Sequence, residues 1–219
     1  MAFHHIDRDH LVDALEAAGP DAPTLCEGWR TRHLAAHVVL REGSPLESAS
    51  MGLSFLRGRA ERELEDLAER SADAEGWAEL LARLAAGPRG VSPVAWGGDK
   101  ANLAELVIHT EDVRRGDGPA APLDREPEHL DALFDQLRLA ARLYYRRSDV
   151  GIVLVVPGGR RAKVKAPRDG AGTVVIRGSV VDLFLHASGR GAAADVEITG
   201  DPADVAALAA THPVRESDG

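Results

Sequence analysis

Two imidazoles and one carboxylate, carried by two separate apolar helical patterns, are the side chains here best suited to grip a cation. The first is His37, in Trp29-Arg-Thr-Arg-His-Leu-Ala-Ala-His37-Val-Val-Leu40. The others are Glu105 and His109, in Asn102-Leu-Ala-Glu-Leu-Val-Ile-His-Thr-Glu-Asp-Val113. Four residues turn an α-helix through about 400°, so Glu105 and His109 project from one face with Cβ atoms roughly 5–6 Å apart. With His37 they make a three-point divalent-metal site that leaves one coordination position open, the arrangement of a catalytic rather than a closed centre.

Each of these residues also has a plainer explanation. A histidine such as His37, between Leu34 and Val38 on an inward face, is often a hydrogen-bonded core residue. His33 lies one turn before it and offers a rival His-x-x-x-His pair; Arg30, Thr31 and Arg32 place His33 nearer the exposed start of its helix. If Asn102 caps its helix, Glu105 merely reaches back in a capping box; if Asp99 caps it, Glu105 stands in the second turn and is free to ligate. Asp112 falls on the stripe of Glu105 nearly two turns on. It is read either as an outer carboxylate that takes the second N–H of a liganding imidazole, or as an exposed charge beside Glu111. Cys26 is a candidate nucleophile, but no neighbour in sequence would activate it, and a buried or inert thiol is the preferred reading. His4, His5 and His10 suit a surface role, and His129, His186 and His212 lack acidic partners at ligand spacing.

The elements that must position these groups follow from periodicity and punctuation. Leu11, Leu15 and Ala18 predict a helix that stops at Gly19-Pro20. Thr31 is a candidate N-cap for the His37 helix, which runs to about Gly43. Ser44-Pro45 opens a long helix to about Arg70 with a charged second half. Trp77, Leu80, Leu81 and Leu84 mark a shorter helix ending at Gly87-Pro88, and Pro93 to Asp99 is a loop containing Trp96. The Glu105 helix runs to about Arg115, Gly116 to Pro122 reads as a linker, and Leu130 to Tyr144 marks another helix. Beyond Asp149 the period shortens. Ile152–Val156, Arg161–Lys165, Thr173–Arg177 and Asp195–Thr199 read as strands, Ser179–Ser188 as a helix, and Asp201-Pro202 caps a last one through Leu208. The expected boundary is therefore near 149–151, between a helical bundle (1–149) and a small α+β domain (150–219). The tail after His212 reads as disordered.

Composition narrows the function classes. The 219 residues carry a formal charge of −9, which excludes nucleic acid as the main ligand, because phosphate binding needs concentrated Lys and Arg. No apolar run reaches the roughly 18 residues of a membrane span, and no secretion signal is expected at the N-terminus. A single cysteine rules out an intrachain disulfide and any Cys-cluster zinc site. A cytoplasmic protein with small-molecule partners is expected.

Three segments together resemble the N-terminal domain of the mycothiol-dependent maleylpyruvate isomerase family, within the wider DinB-like group of four-helix metal-binding proteins. They are Thr24-Leu-Cys-Glu-Gly-Trp29, His33-Leu-Ala-Ala-His37 and Glu105-Leu-Val-Ile-His-Thr-Glu-Asp-Val-Arg-Arg115. The segment Gly178 to Arg190, with Val196 to Asp201, is similar to the small C-terminal domain of such proteins. The resemblance implies an α+β chain in which a DinB-like four-helix bundle precedes a small α+β domain. It also implies zinc or another divalent metal held by His37, Glu105 and His109 with water, and a low-molecular-weight thiol such as mycothiol as cosubstrate. The activity implied is isomerisation or group transfer on a small electrophilic substrate, with the thiol sulfur at the open metal position. Arg190 is a candidate partner for a substrate carboxylate; a surface arginine after a helix is its alternative. The rival from another class is a non-catalytic metal-binding or thiol-sensing protein whose metal is structural, closed by a fourth ligand such as His33 or Asp112.

Overall fold

The computed structural model describes residues 3–43, 54–88, 98–168 and 170–214. Its contacts divide the chain into two compact units, Met1–Ala120 and Ala121–Gly219.

The first unit is helical: α1 (His4–Ala18), α2 (Thr31–Gly43), α3 (Ser54–Arg70), α4 (Ala74–Ala86) and α5 (Asp99–Arg114). Helix α1 packs most extensively on α5 and also on α4, while α2 packs on α3 and α4. Leu11, Leu15, Leu34, Val38, Leu84 and Leu103 are completely buried between these helices. Truncating any such leucine to alanine costs about 2–5 kcal/mol, so these faces determine the bundle. Helix α1 ends as expected: Gly19 takes a φ of 73° and its N–H donates to the Leu15 carbonyl. Thr31 is not the N-cap expected of it. It is the first helical residue, buried, and its hydroxyl donates to the Gly19 carbonyl, tying the start of α2 to the end of α1. Helix α3 buries Leu64, Leu67 and Ala68 and turns its charges outward; its expected start at Ser44-Pro45, and the loop around Trp96, lie outside the described residues. Asp73 caps α4 through the Gly76 N–H.

One ion pair inside this unit gives no sign of itself in the sequence. Arg8 of α1 donates twice to the Glu42 carboxylate of α2, at 2.9 and 2.5 Å, and once to the Leu84 carbonyl of α4 at 2.9 Å. Both side chains are almost fully buried.

The second unit begins with α6 (Pro127–Tyr144), followed by β1 (Gly151–Val155), β2 (Arg161–Lys165), β3 (Thr173–Gly178), α7 (Val180–Ala187), β4 (Val196–Thr199) and α8 (Pro202–Ala209). The sheet order is β2-β1-β3-β4; β1 pairs antiparallel with β2 and parallel with β3, and β3 pairs antiparallel with β4. Ile152, Leu154, Val174 and Ile176 are completely buried, as are Leu183 to Leu185 of α7. Helix α6 packs on β2 and α7, and Arg160, the residue just before β2, lies over the Phe134 ring and pairs with Asp135 at 2.7 Å. The division at 120/121 thus places α6 with the sheet, whereas a boundary at 149/150 was expected. The change of period near 149 marks a change of secondary structure inside one packed unit.

Tyr145 closes the core of this unit. Its hydroxyl lies 2.8 Å from His186 Nδ1, and the His186 and His212 rings stack with centroids 5.8 Å apart. Burial pushes His186 down to about 4, so it is a neutral core imidazole at ordinary pH. Arg190 also belongs to this unit, where its guanidinium donates to the Ser188 carbonyl at 2.9 Å.

Candidate metal centre

The centre is assembled from α2, α5 and the turn-rich segment that leads into α2. That segment is internally tied. The Thr24 hydroxyl donates to the Trp29 carbonyl at 2.9 Å and accepts from the Cys26 N–H, while the Trp29 N–H donates to the Cys26 carbonyl at 3.0 Å. It is also fastened to the C-terminal end of α5: the Leu25 N–H donates to the Asp112 carbonyl at 3.0 Å. Gly116 permits that approach, because a Cβ there would lie 2.1 Å from the Pro23 oxygen. The result delivers Cys26 Sγ to 3.2 Å from Asp112 Oδ2 and sets the Trp29 ring 5.3 Å from that of His37.

His37 reaches across from α2 to α5. Its Nε2 lies 3.4 Å from Glu105 Oε1, and His109 Nε2 lies 3.1 Å from the same oxygen. One donor atom from each of His37, Glu105 and His109 falls within 4.8 Å of the others. Two bonds of about 2.0–2.1 Å meeting at a tetrahedral angle hold their donor atoms about 3.3–3.4 Å apart. The two carboxylate–imidazole separations lie within about 0.3 Å of that value, so Glu105 stands at ligand spacing from both imidazoles. Among the described residues, no fourth His, Cys, Asp or Glu joins this group.

His33 stands apart from it. Its Nδ1 accepts from the Arg30 N–H at 3.2 Å and its Nε2 faces Glu65 of α3 at 3.6 Å. It is also buried, where an exposed helix start was expected. The cap of α5 is neither Asp99 nor Asn102: the helix begins at Asp99 with Gly98 at the N-cap position, and Asn102 donates back to the Gly98 carbonyl. Glu105 therefore sits in the second turn, away from any capping duty.

Asp112 is completely buried, which removes the surface-charge alternative. Its Oδ2 lies 2.9 Å from His109 Nδ1. A carboxylate there holds the Nδ1 proton and leaves Nε2, the atom that faces Glu105 and His37, as the ligating nitrogen.

Two residues of the site escaped the sequence reading. Arg41 Nε lies 3.4 Å from Glu105 Oε1, and its Nη1 donates to Asn102 Oδ1 at 3.3 Å. Its spacing of one turn after His37 was the available signal. Cys26, read as inert, is part of a second group of close donors with His109 and Asp112. No local pattern could have revealed that, because its partners are more than eighty residues away in sequence.

Electrostatics follow from this packing. Burial opposes the charge on Glu105, but hydrogen bonds from His109 and His37 and the charge of Arg41 outweigh it, holding the carboxyl well below its usual range. Burial likewise opposes a charged His109; bonds to Asp112, Cys26 and Glu105 overcome it and raise the imidazole well above its usual value. A pocket that stabilises an extra proton on His109 is one in which positive charge is favoured. A cation competes with that proton for the same lone pair.

No protein-family model matches the chain, and no curated protein does. Solved structures do. A crystal structure of the mycothiol-dependent maleylpyruvate isomerase is 20% identical, with a TM-score of 0.58 and coverage of 90% of each chain. A histidine-to-alanine mutant of that isomerase matches at 22% identity with the same TM-score and coverage. At such identities the likeness speaks for the fold, and the fold of this chain is that of the mycothiol-dependent maleylpyruvate isomerase, as its motifs implied.

Proposed function

We propose that this protein binds a divalent cation, zinc by the character of the ligands, and is a thiol-dependent isomerase or transferase acting on a small electrophilic substrate. The observation that carries the reading is the convergence of His37, Glu105 and His109, whose donor atoms lie within 4.8 Å of one another, with Asp112 behind His109. A divalent cation in such a site supplies Lewis acidity and favours the thiolate form of a sulfur ligand. The chain's own residues then have separable tasks. His37 and His109 offer neutral imidazole nitrogens, and Glu105 offers the one anionic ligand. Asp112 fixes the His109 tautomer, and Arg41 beside Glu105 moderates the negative charge of the carboxylate.

Accessibility favours a reacting centre over a purely structural one. The side chains of His37 and Glu105 keep 20% and 29% of their surface exposed, so a small molecule can reach the ligand face. The structural neighbours are described as mycothiol-dependent, which supports a low-molecular-weight thiol of that kind as cosubstrate. Arg190 is retained as a candidate for pairing a substrate carboxylate.

Elemental analysis of the purified protein tests the ligand set. One equivalent of zinc is expected in the unaltered protein, and no zinc in His37→Ala or His109→Ala. Full metal in both variants would remove the basis of the assignment. Isomerisation of a maleylpyruvate-type substrate, measured with and without added thiol, tests the reaction. A rate that does not depend on thiol argues for hydrolytic or non-catalytic use of the same ligands.

A further inference from the structure

We propose that Cys26, His109 and Asp112 form a second cation site, suited to thiophilic metals, which shares His109 with the first site and cannot be filled together with it. The inference does not rest on the thiol-dependent reaction; it needs only the geometry around His109.

The three donors lie within 4.8 Å of one another, with Cys26 Sγ 3.2 Å and His109 Nδ1 2.9 Å from Asp112 Oδ2. Metal–sulfur bonds of about 2.3 Å and metal–nitrogen or metal–oxygen bonds of about 2.0–2.2 Å require donor separations only a few tenths of an ångström longer. Cys26 is partly exposed on the segment ahead of α2, which gives a cation an entry route. Asp112 is completely buried, so it is preorganised rather than solvated.

Two physical differences separate this site from the first. The first site offers two nitrogens and one oxygen; the second offers a sulfur, and thiolate ligands select soft cations. Charge differs as well. A divalent cation with the Cys26 thiolate and the Asp112 carboxylate is formally neutral, whereas Glu105 alone leaves a net positive charge beside Arg41.

Mutual exclusion follows from the imidazole. A neutral ring has one lone pair and one N–H. When Nε2 binds a cation at the first site, Nδ1 keeps its proton and donates to Asp112. When Nδ1 binds a cation at the second site, the ring proton moves to Nε2 and donates to Glu105. The Cys26 thiol proton is released to solvent as the sulfur–metal bond forms, and nothing is oxidised or reduced.

Cadmium(II) is the probe, read by X-ray absorption for a sulfur neighbour. The full-length protein should show one sulfur per cadmium, and Cys26→Ser should show only nitrogen and oxygen; Cys26→Ala serves as the second variant if serine disturbs folding. His37→Ala, which removes a ligand of the first site alone, should keep the sulfur-bound cadmium. Cadmium added to zinc-loaded protein should release the zinc as the sulfur signal appears. Absence of sulfur in the unaltered protein overturns the proposal, and so does loss of the sulfur in His37→Ala, which would mean one four-ligand centre. Zinc retained beside sulfur-bound cadmium overturns the sharing of His109. None of these outcomes depends on catalytic activity, so failure here and failure of the thiol-dependent reading are separable.

Discussion

Asp112→Ala is the perturbation that most directly tests the link between the packing and the chemistry of the centre. The carboxylate is completely buried and accepts from His109 Nδ1 at 2.9 Å. It has two effects of opposite sign on metal affinity. It makes Nε2 a more basic ligand and holds the ring in one orientation, and loss of such an outer partner costs about 10–100-fold in affinity, or about 1.4–2.8 kcal/mol. It also contributes to raising His109 well above its usual value, so it strengthens the proton that competes with the metal. Above the raised value the competing proton is gone and the whole loss is visible. As pH falls through it, the unaltered protein is penalised more than the variant, and the gap narrows. The expected record is a dissociation constant about 10–100-fold weaker at alkaline pH, with a smaller ratio at each lower pH. Asp112→Asn keeps the shape and an acceptor but not the charge. Neutral hydrogen bonds contribute about 1 kcal/mol less than charged ones, so a loss of roughly fivefold is expected there. Competition against a chromophoric chelator at several pH values reads both quantities. A folded Asp112→Ala protein whose affinity stays within about twofold of the original, against the 10–100-fold expected, refutes the reasoning, as does a gap that widens on acidification.

Three further outcomes are expected. Glu42→Gln leaves Arg8 buried without its ionic partner and should destabilise the helical unit by about 3–5 kcal/mol in denaturant unfolding, while Arg8→Met with Glu42→Leu together should recover most of that loss. In the metal-free protein, the raised His109 contributes stability that is fully present below the unfolded imidazole value of about 6.5 and is lost as pH rises through the folded value. The depressed Glu105 contributes stability present above the unfolded carboxylate value and lost on acidification through the folded one. Thermal melts of His109→Gln should lack the alkaline decline, and a decline of unchanged size would count against the pairing. Gly116→Ala puts a Cβ against the Pro23 carbonyl and must push the Cys26 segment off α5. About 1–3 kcal/mol of stability should go with it, and unaltered melting would show that the close approach is not maintained in solution.

Much of this architecture could be read from the chain itself. Leucine spacing and the Gly19 and Gly87 terminators mark helices α1 and α4 because helix formation and its interruption are local backbone effects. The four strands were legible for the same reason, through β-branched runs bounded by turns. Glu105 and His109 share a face by helical geometry alone, so that half of the centre is a property of the sequence. Other features depend on what is brought near from elsewhere. That His37 meets Glu105 rather than His33 doing so, that Asp112 is buried behind His109, and that Cys26 joins them were decided by the docking of α2 and the preceding segment on α5. Likewise Arg8 found Glu42 across two helices, and α6 joined the sheet although the period changes after it. Periodicity reports which face of an element is apolar, but not which other face it will cover. That choice belongs to the packing of distant side chains, and here the packing turned a helical Glu–His pair into a centre with Glu105 and His37 on one side of the His109 imidazole and Asp112 and Cys26 on the other.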